Sequence, residues 1–349
     1  MAFRAGVEGF RSTRSGRRNQ QKGERRMTRL APAMAVLAIG LSGMAAQPAW
    51  SQNVKVTPLG SHEGEFCRAD RALVFEDPDG TRILYDAGRT VRGAEDPRLG
   101  EIDAVLLSHV HGDHLGDAHQ SGPDAGTCAE PDHSVSATPD SNSVKIVVGK
   151  DAKFLVGGEM ASFFEKKVAA AGGSEDQVQL VRFGGVREVG GVTVASVPAV
   201  HSNGLSPAFL DGDLAAALEA HALTAYLGPP GGYVLEFSNG LVVYLSGDTG
   251  ITAEQDAVVR RFFGAELVVM NIGGIFSTGP REAAWVINEL VQPKAVIASH
   301  ANEEATENGE VRPGTKTQAF IDAVEVAVHV PLSDRTMEFD GEATCVSGC

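Results

Sequence analysis

The run Ser108-His109-Val110-His111-Gly112-Asp113-His114 limits what this chain can fold into more than any other feature. Three of the ten histidines fall within six positions beside an aspartate, directly after the apolar segment Ile102-Asp103-Ala104-Val105-Leu106-Leu107. Alternate side chains of an extended segment share a face, so His109 and His111 can address one ion while Asp113 and His114, one turn later, address a second. A polar turn with solvated histidines is the competing reading. It suits a lone histidine better than a cluster at the end of a buried strand, where loops commonly carry function.

A two-metal centre needs more ligands than one loop supplies, and isolated candidates recur downstream. His201 follows the run Val192-Thr193-Val194-Ala195-Ser196-Val197-Pro198-Ala199-Val200. Asp248 follows Leu241-Val242-Val243-Tyr244-Leu245-Ser246-Gly247, and His300 follows Ala295-Val296-Ile297-Ala298-Ser299. Each stands at the carboxyl end of a short β-branched run, the edge where open α/β layers gather ligands.

In this order, HxHxDH and then His, Asp and His, the chain resembles the metallo-β-lactamase superfamily at all seven positions. Ser246-Gly247-Asp248-Thr249-Gly250, followed by Asn271-Ile272-Gly273-Gly274-Ile275-Phe276-Ser277-Thr278-Gly279-Pro280-Arg281-Glu282-Ala283-Ala284, is similar to the branch containing L-ascorbate-6-phosphate lactonase and related metal-dependent hydrolases. The resemblance spans roughly residues 54–330. It implies an α/β fold of the αββα type, two packed mixed sheets with helices on both outer faces. It also implies one metal on His109, His111 and His201, another on Asp113, His114 and His300, and Asp248 bridging them.

Two divalent ions about 3.5–4 Å apart would share a hydroxide and polarise a carbonyl or phosphoryl oxygen, with Asp113 or Asp248 passing a proton to the leaving group. Imidazole and carboxylate ligands without cysteine suit Zn²⁺ first, then Mn²⁺ or Fe²⁺. The leading expectation is an exported dinuclear hydrolase opening a small cyclic ester or amide, a lactone before a β-lactam. A phosphodiesterase or phosphatase on the same metals is the alternative. It would want a cation near the ions, from Arg68, Arg71, Arg89 or Arg281. A scaffold protein would be expected to have lost a ligand, and the complete second set argues against a redox iron enzyme.

Relatives in this branch carry a compact Gly-His-Ser element early in the domain; here residues 60–71 are longer and more charged. His62 in this stretch either faces the pocket or caps a loop. Thr278 and Gly279 are further pocket candidates, because amides of a Gly-rich turn can bind an oxyanion; a tight strand-to-helix turn into Pro280 is a compatible reading. Gln120 to Ser143 is rich in turn formers and reads as a loop, either rimming the pocket or lying on the surface. Between Ser202 and Gly232, Leu214, Leu218, Ala222 and Ala225 form an apolar stripe. Core packing is favoured for it over a lid or a dimer contact, and His221 reads as a helix-end residue.

Residues 1–51 read as a basic extension and a signal peptide, leaving a single domain over 52–349 with a C-terminal tail at 331–349. Met27-Thr28-Arg29-Leu30 opens a charged-then-apolar stretch too short for a confident membrane span, with cleavage near 46–51, which points to a periplasmic or secreted protein without a stable membrane anchor. The basic residues before Met27 have three readings: an upstream start codon, a twin-arginine signal at Arg25-Arg26, or, least favoured, a nucleic-acid-binding arm. Removing residues 1–51, with nine Lys or Arg and two Glu, takes the formal net charge from −15 to −22. So acidic a body disfavours nucleic acid as a partner and leaves a small molecule as the expected substrate; a homo-oligomer stays open. Cys67, Cys128, Cys345 and Cys349 suit up to two disulfides in three alternative pairings.

Strands are expected near 55–58, 72–76, 83–86, 104–108, 145–148, 179–182, 192–197, 232–237, 242–246, 267–271 and 295–299. Helices are expected at 160–171, 214–225, 253–261 and 282–290.

Overall fold

Period-two alternation in short apolar strands builds the two sheets and decides which way each side chain faces. In Arg82–Tyr85, Ile83 and Tyr85 enter one buried cluster while Leu84 enters another. In Leu267–Asn271, Leu267 and Val269 face inward, and Val268 and Met270 face outward. Both faces are therefore covered, and apart from Arg82 and Asn271 at their ends these strands are apolar, as parallel strands buried on both sides require. The computed structural model describes residues 52–349.

The first sheet has eight strands in the order Cys345–Ser347, Met337–Phe339, Val54–Pro58, Leu73–Glu76, Arg82–Tyr85, Ala104–Leu106, Lys153–Val156, Val178–Leu180. The second has seven, in the order Ala327–His329, Ala295–Ser299, Leu267–Asn271, Val242–Leu245, Gly231–Glu236, Val192–Pro198, Val186–Val189. Val56, Phe75 and Leu106 of the first sheet meet Val194, Leu235 and Ile297 of the second in the central layer. Outside the first sheet lie helices Asn142–Gly149 and Met160–Ala170, buried through Ile146, Val147, Phe164 and Val168. Outside the second lie Gln255–Phe263, the continuous pair Pro280–Trp285 and Val286–Val291, and Lys316–Ala323, anchored by Val259, Ala283, Ile287 and Phe320. This is the αββα sandwich; each fully buried Leu, Ile or Phe adds about 1.5–3 kcal/mol to it.

Strand direction sets the site. Arg82–Tyr85, Ala104–Leu106 and Lys153–Val156 run parallel, as do Val242–Leu245, Leu267–Asn271 and Ala295–Ser299. Two antiparallel steps through Gly231–Glu236 bring Val192–Pro198 into the same direction. The loops carrying His201, Asp248 and His300 consequently leave the second sheet at one edge.

Three expectations are corrected. Residues 145–148 are helical, within Asn142–Gly149, and the strand is Lys153–Val156. The Ser141 side chain accepts a hydrogen bond from the Val144 amide at 3.1 Å and caps that helix; with Val144, Ile146 and Val147 buried beneath it, capping and packing override the β-branched composition. The helix expected at 214–225 is Gly212–Ala220 and buries no residue; Leu214 is 60 % exposed, so its stripe is not core. The 331–349 segment is no loose tail, since Val54 pairs with Phe339, which is fully buried. Cysteine pairs join Cys67 to Cys128 and Cys345 to Cys349. No helix among the described residues is long and apolar enough to cross a membrane; the expected signal segment and basic extension lie outside the described residues.

Candidate metal centre

All seven candidate ligands converge. His109 stands three residues beyond the end of Ala104–Leu106, and the short helix Gly112–Leu115 carries Asp113 and His114 back towards it. Donor atoms of His109, His111 and His201 lie within 4.8 Å of one another, as do those of His109, His114 and Asp248, and those of Asp113, His114 and His300. His109 Nε2 and His201 Nε2 approach His111 Nδ1 at 2.9 and 3.3 Å. Asp248 reaches both sides: Oδ1 is 3.6 Å from His114 Nε2, and Oδ2 is 3.7 Å from His201 Nε2 and 3.4 Å from His300 Nε2.

Hydrogen bonds fix the tautomers so that lone pairs face inward. Ser108 donates its amide and hydroxyl to Asp86 at 2.8 and 2.7 Å. His114 donates Nδ1–H to Asp86 Oδ2 at 2.8 Å, leaving Nε2 as the acceptor. His109 donates Nδ1–H to Ser108 Oγ at 3.0 Å, and His111 Nε2 lies 3.3 Å from Ser202 Oγ, which turns Nδ1 towards the cluster. Such partners orient metal-binding imidazoles in general. The inward atoms His114 Nε2, His300 Nε2 and Asp248 Oδ1 are buried with no hydrogen-bond partner among the described residues. Orphaned polar atoms are costly unless something binds them, and this donor set of imidazole and carboxylate fits divalent cations.

The electrostatics agree. Burial pulls His109 and His111 below the ordinary histidine pKa, towards the neutral form that binds metal. Burial also pulls His114 down, but the carboxylates of Asp248, Asp113 and Asp86 outweigh it and push the pKa up to about 10, so a cation there competes with a proton. Burial would raise Asp113, yet His114, His300 and Arg71 hold it well below the usual carboxylate range. Asp248 is held down likewise, chiefly by His114 and His300.

The backbone around the cluster is unusually constrained. Asp86, His300 and Asn302 all take left-handed φ values, +42°, +51° and +56°, which non-glycine residues adopt at a cost of order 1–3 kcal/mol in functional sites. Gly247 has φ +59°, and a Cβ there would stand 2.7 Å from the Gly231 carbonyl oxygen and 3.1 Å from Ser108 Cβ. Only glycine lets the Asp248 loop pass so close to the Ser108 strand end.

Two supporting residues have partners that the sequence does not signal. Arg71 holds Asp113 through Nε at 3.0 Å and reaches Asn302 Oδ1 at 2.8 Å, so one guanidinium ties the Asp113 loop to the loop after His300. Asp86 could have been suspected only from its place at the end of the strand next to Ala104–Leu106. Arg71 could be suspected only as one of four candidate cations, since nothing near it in sequence names its partners.

A cavity of about 520 Å³ opens on the cluster, lined by His111, Asp113, His201, Asp248 and His300 together with Arg68, Ser202, Asn302, Lys316 and the Gly273–Phe276 turn. Its size suits a small molecule. His62 does not line it; its Nε2 lies 3.3 Å from the Gly126 carbonyl oxygen, in the loop stapled by Cys67 and Cys128. Thr278 and Gly279 do not line it either. Thr278 is buried beneath the turn, bonded to Asn271 and, through its amide, to the Thr249 carbonyl, so it supports the turn rather than offering a donor to substrate. The exposed positions of that turn are Ile275 and Phe276.

Residues 81–301, which include all seven candidate ligands, match the family described as the beta-lactamase superfamily domain. The chain belongs to this superfamily. A metal-dependent hydrolase of Koribacter versatilis is 28 % identical over 226 residues, 64 % of this chain and 77 % of that protein. A metallo hydrolase of the archaeon Ignicoccus hospitalis shares the fold at a TM-score of 0.54, with 21 % identity over 82 % of this chain and 99 % of that one. So does a metallo-β-lactamase fold protein of Bacillus subtilis, at a TM-score of 0.50 and 13 % identity, over 82 % and 99 %. The αββα sandwich is thus the metallo-β-lactamase fold, and the chain stands among the metal-dependent hydrolases of this superfamily.

Proposed function

We propose that this protein is an exported, dinuclear metal-dependent hydrolase that opens a small cyclic ester or amide, a lactone first and a β-lactam second. The observation that carries the two-metal reading is the position of Asp248, whose Oδ2 lies near His201 of one ligand set and His300 of the other, with Oδ1 beside His114 of the second. His109, His111 and His201 would hold one ion, Asp113, His114 and His300 the other, and Asp248 both. Zn²⁺ suits these donors best, with Mn²⁺ and Fe²⁺ next. Ions so held would supply a water ionised at neutral pH and would polarise the oxygen of the bond under attack.

The chain's own groups do the rest. Asp86 and Ser108 keep His114 and His109 in the tautomers that present lone pairs, and Arg71 holds the Asp113 carboxylate against the cluster. The carboxylate oxygens of Asp113 and Asp248, both on the cavity wall, are placed to pass a proton to the leaving group. Export is supported by the charged-then-apolar segment from Met27 and by the pairing of all four cysteines.

The phosphoester alternative loses most of its cations. Arg71 is engaged by Asp113, Arg89 by Asp117, and Arg281 by Glu282 out in solvent. Arg68 alone of the four lines the cavity, and among the described residues it has no ion-pair partner.

The test is metal content of the purified protein by inductively coupled plasma mass spectrometry, paired with hydrolysis assays on γ-lactone, β-lactam and phosphodiester substrates. Two ions per chain with lactone or lactam turnover is the expected result. Turnover of phosphodiesters alone would promote the alternative, and at most one ion after reconstitution would overturn the dinuclear mechanism.

A further inference from the structure

We propose that Arg68 is a specificity determinant that binds an anionic group on the substrate, a carboxylate or phosphate remote from the bond being broken. This deepens the hydrolase reading above and rests on it. The side chain lines the cavity, and among the described residues its guanidinium has no hydrogen-bond or ion-pair partner. Every other arginine discussed above as a cavity cation is neutralised by a carboxylate of the chain.

The backbone that carries Arg68 is held from several directions. Cys67 is bonded to Cys128. Its amide donates to Asp70 Oδ2 at 2.8 Å, and its carbonyl accepts from the Asp70 amide at 3.2 Å. The Arg68 carbonyl accepts from Arg71 at 3.0 Å, from the same guanidinium that holds Asp113. On the other side, the Phe66 amide donates to Thr306 Oγ1 at 2.8 Å and the Phe66 carbonyl accepts from the Ala305 amide at 3.0 Å. The backbone beneath this exposed, unpaired cation is thus held beside the reacting centre, which lowers part of the ordering cost of a bound anion.

Charge explains the need. With a formal net charge of −15 over the whole sequence, the body repels an anionic ligand, so an anionic substrate requires a local cation to meet it. A guanidinium presents a planar fork that matches carboxylate and phosphate geometry. Lys316, the other cation on the cavity wall, spends two donors on the carbonyls of Gly273 and Ala301, at 2.6 and 3.1 Å, and so chiefly braces the turn and the His300 loop. The family match begins at residue 81, so it carries no information about Arg68.

The experiment compares 5-oxotetrahydrofuran-2-carboxylate with its neutral carboxamide on the metal-loaded full-length protein and on R68Q and R68K, with a phosphorylated 5-(hydroxymethyl)-γ-butyrolactone as the second anionic arm. The wild type is expected to favour an anionic lactone over the carboxamide by roughly ten- to a hundredfold in kcat/KM, mostly through KM, as a charge-assisted pair allows. R68Q should bring that ratio close to one, R68K should recover part of it, and the preferred arm identifies carboxylate or phosphate. Equal use of anionic and neutral lactones by the wild type, or a ratio unmoved in a folded R68Q, overturns the proposal and leaves the hydrolase reading intact.

If no lactone is turned over, calorimetric titration of the carboxylate and carboxamide decides separately. A binding preference lost in R68Q upholds Arg68 while the lactonase reading fails. A preference unmoved by R68Q arises at the metal centre and overturns the role of Arg68.

Discussion

The two proposed ligand sets are braced differently. His109, His111 and His201 are all imidazoles, and the partners of the first two are neutral hydroxyls, Ser108 and Ser202. Asp113, His114 and His300 mix charge types, and their partners are charged: Asp86 behind His114, Arg71 behind Asp113. The first set offers an ion little compensating charge beyond Asp248. The second sits in a field of two carboxylates opposed by one guanidinium. Occupancy of the second position should therefore depend more on distant charged residues, and that of the first more on its own imidazoles.

The largest effect is expected where the sets meet. Asp248→Ala removes the group that faces both, and should abolish turnover and lower metal content at both positions, by more than the roughly 10–100-fold that loss of a supporting residue costs; unchanged activity would refute the shared ligand. Next, Asp86→Asn keeps an acceptor for His114 but removes its charge. Affinity for one ion of two should fall about 10–100-fold, seen as biphasic metal loss during chelator titration. Uniform loss of both ions would erase the asymmetry. Arg71→Met should weaken the second position too, by releasing Asp113 and the Asn302 loop, with the sandwich's melting temperature the control for folding.

A pH effect separates the bracing loop from the metals. Burial pushes Asp70 up from 3.8 to about 6, despite its bonds from Ser61 and Cys67. The folded state thus holds that proton more tightly than the unfolded chain, and this contribution is full below pH 4 and lost as pH rises through about 6, up to roughly 3 kcal/mol. Denaturant titrations across that window should show the slope, and Asp70→Asn should flatten it. The smallest change is Ser202→Ala, which removes one neutral bond to His111 and should weaken the first position by the equivalent of about 1 kcal/mol.

The ligands were legible because their information is local: a histidine or aspartate just past a β-branched run emerges at a sheet edge whatever else the chain does. The same local reading failed for residues 145–148, whose composition favours a strand while the Ser141 cap and burial of Ile146 and Val147 make a helix. It failed too for the stripe through Leu214, where helical spacing is present but the helix finds no core to face. His62, Thr278 and Gly279 stand beside the right elements in sequence, but their side chains or backbone are committed elsewhere.

By itself, then, the sequence determined the seven candidate ligands, through the short-range spacing of HxHxDH and the strand ends that precede His201, Asp248 and His300, while its resemblance to the superfamily implied the αββα class. Only the tertiary structure decided how those side chains are held. Asp86 meets His114 across 28 positions, Arg71 meets Asp113 across 42 and Asn302 across 231. It also decided that Arg68, three residues from Arg71, has no carboxylate of its own among the described residues. Such pairings depend on which strand ends the sheets bring to one edge, a property of the packed layers that no short stretch of chain encodes.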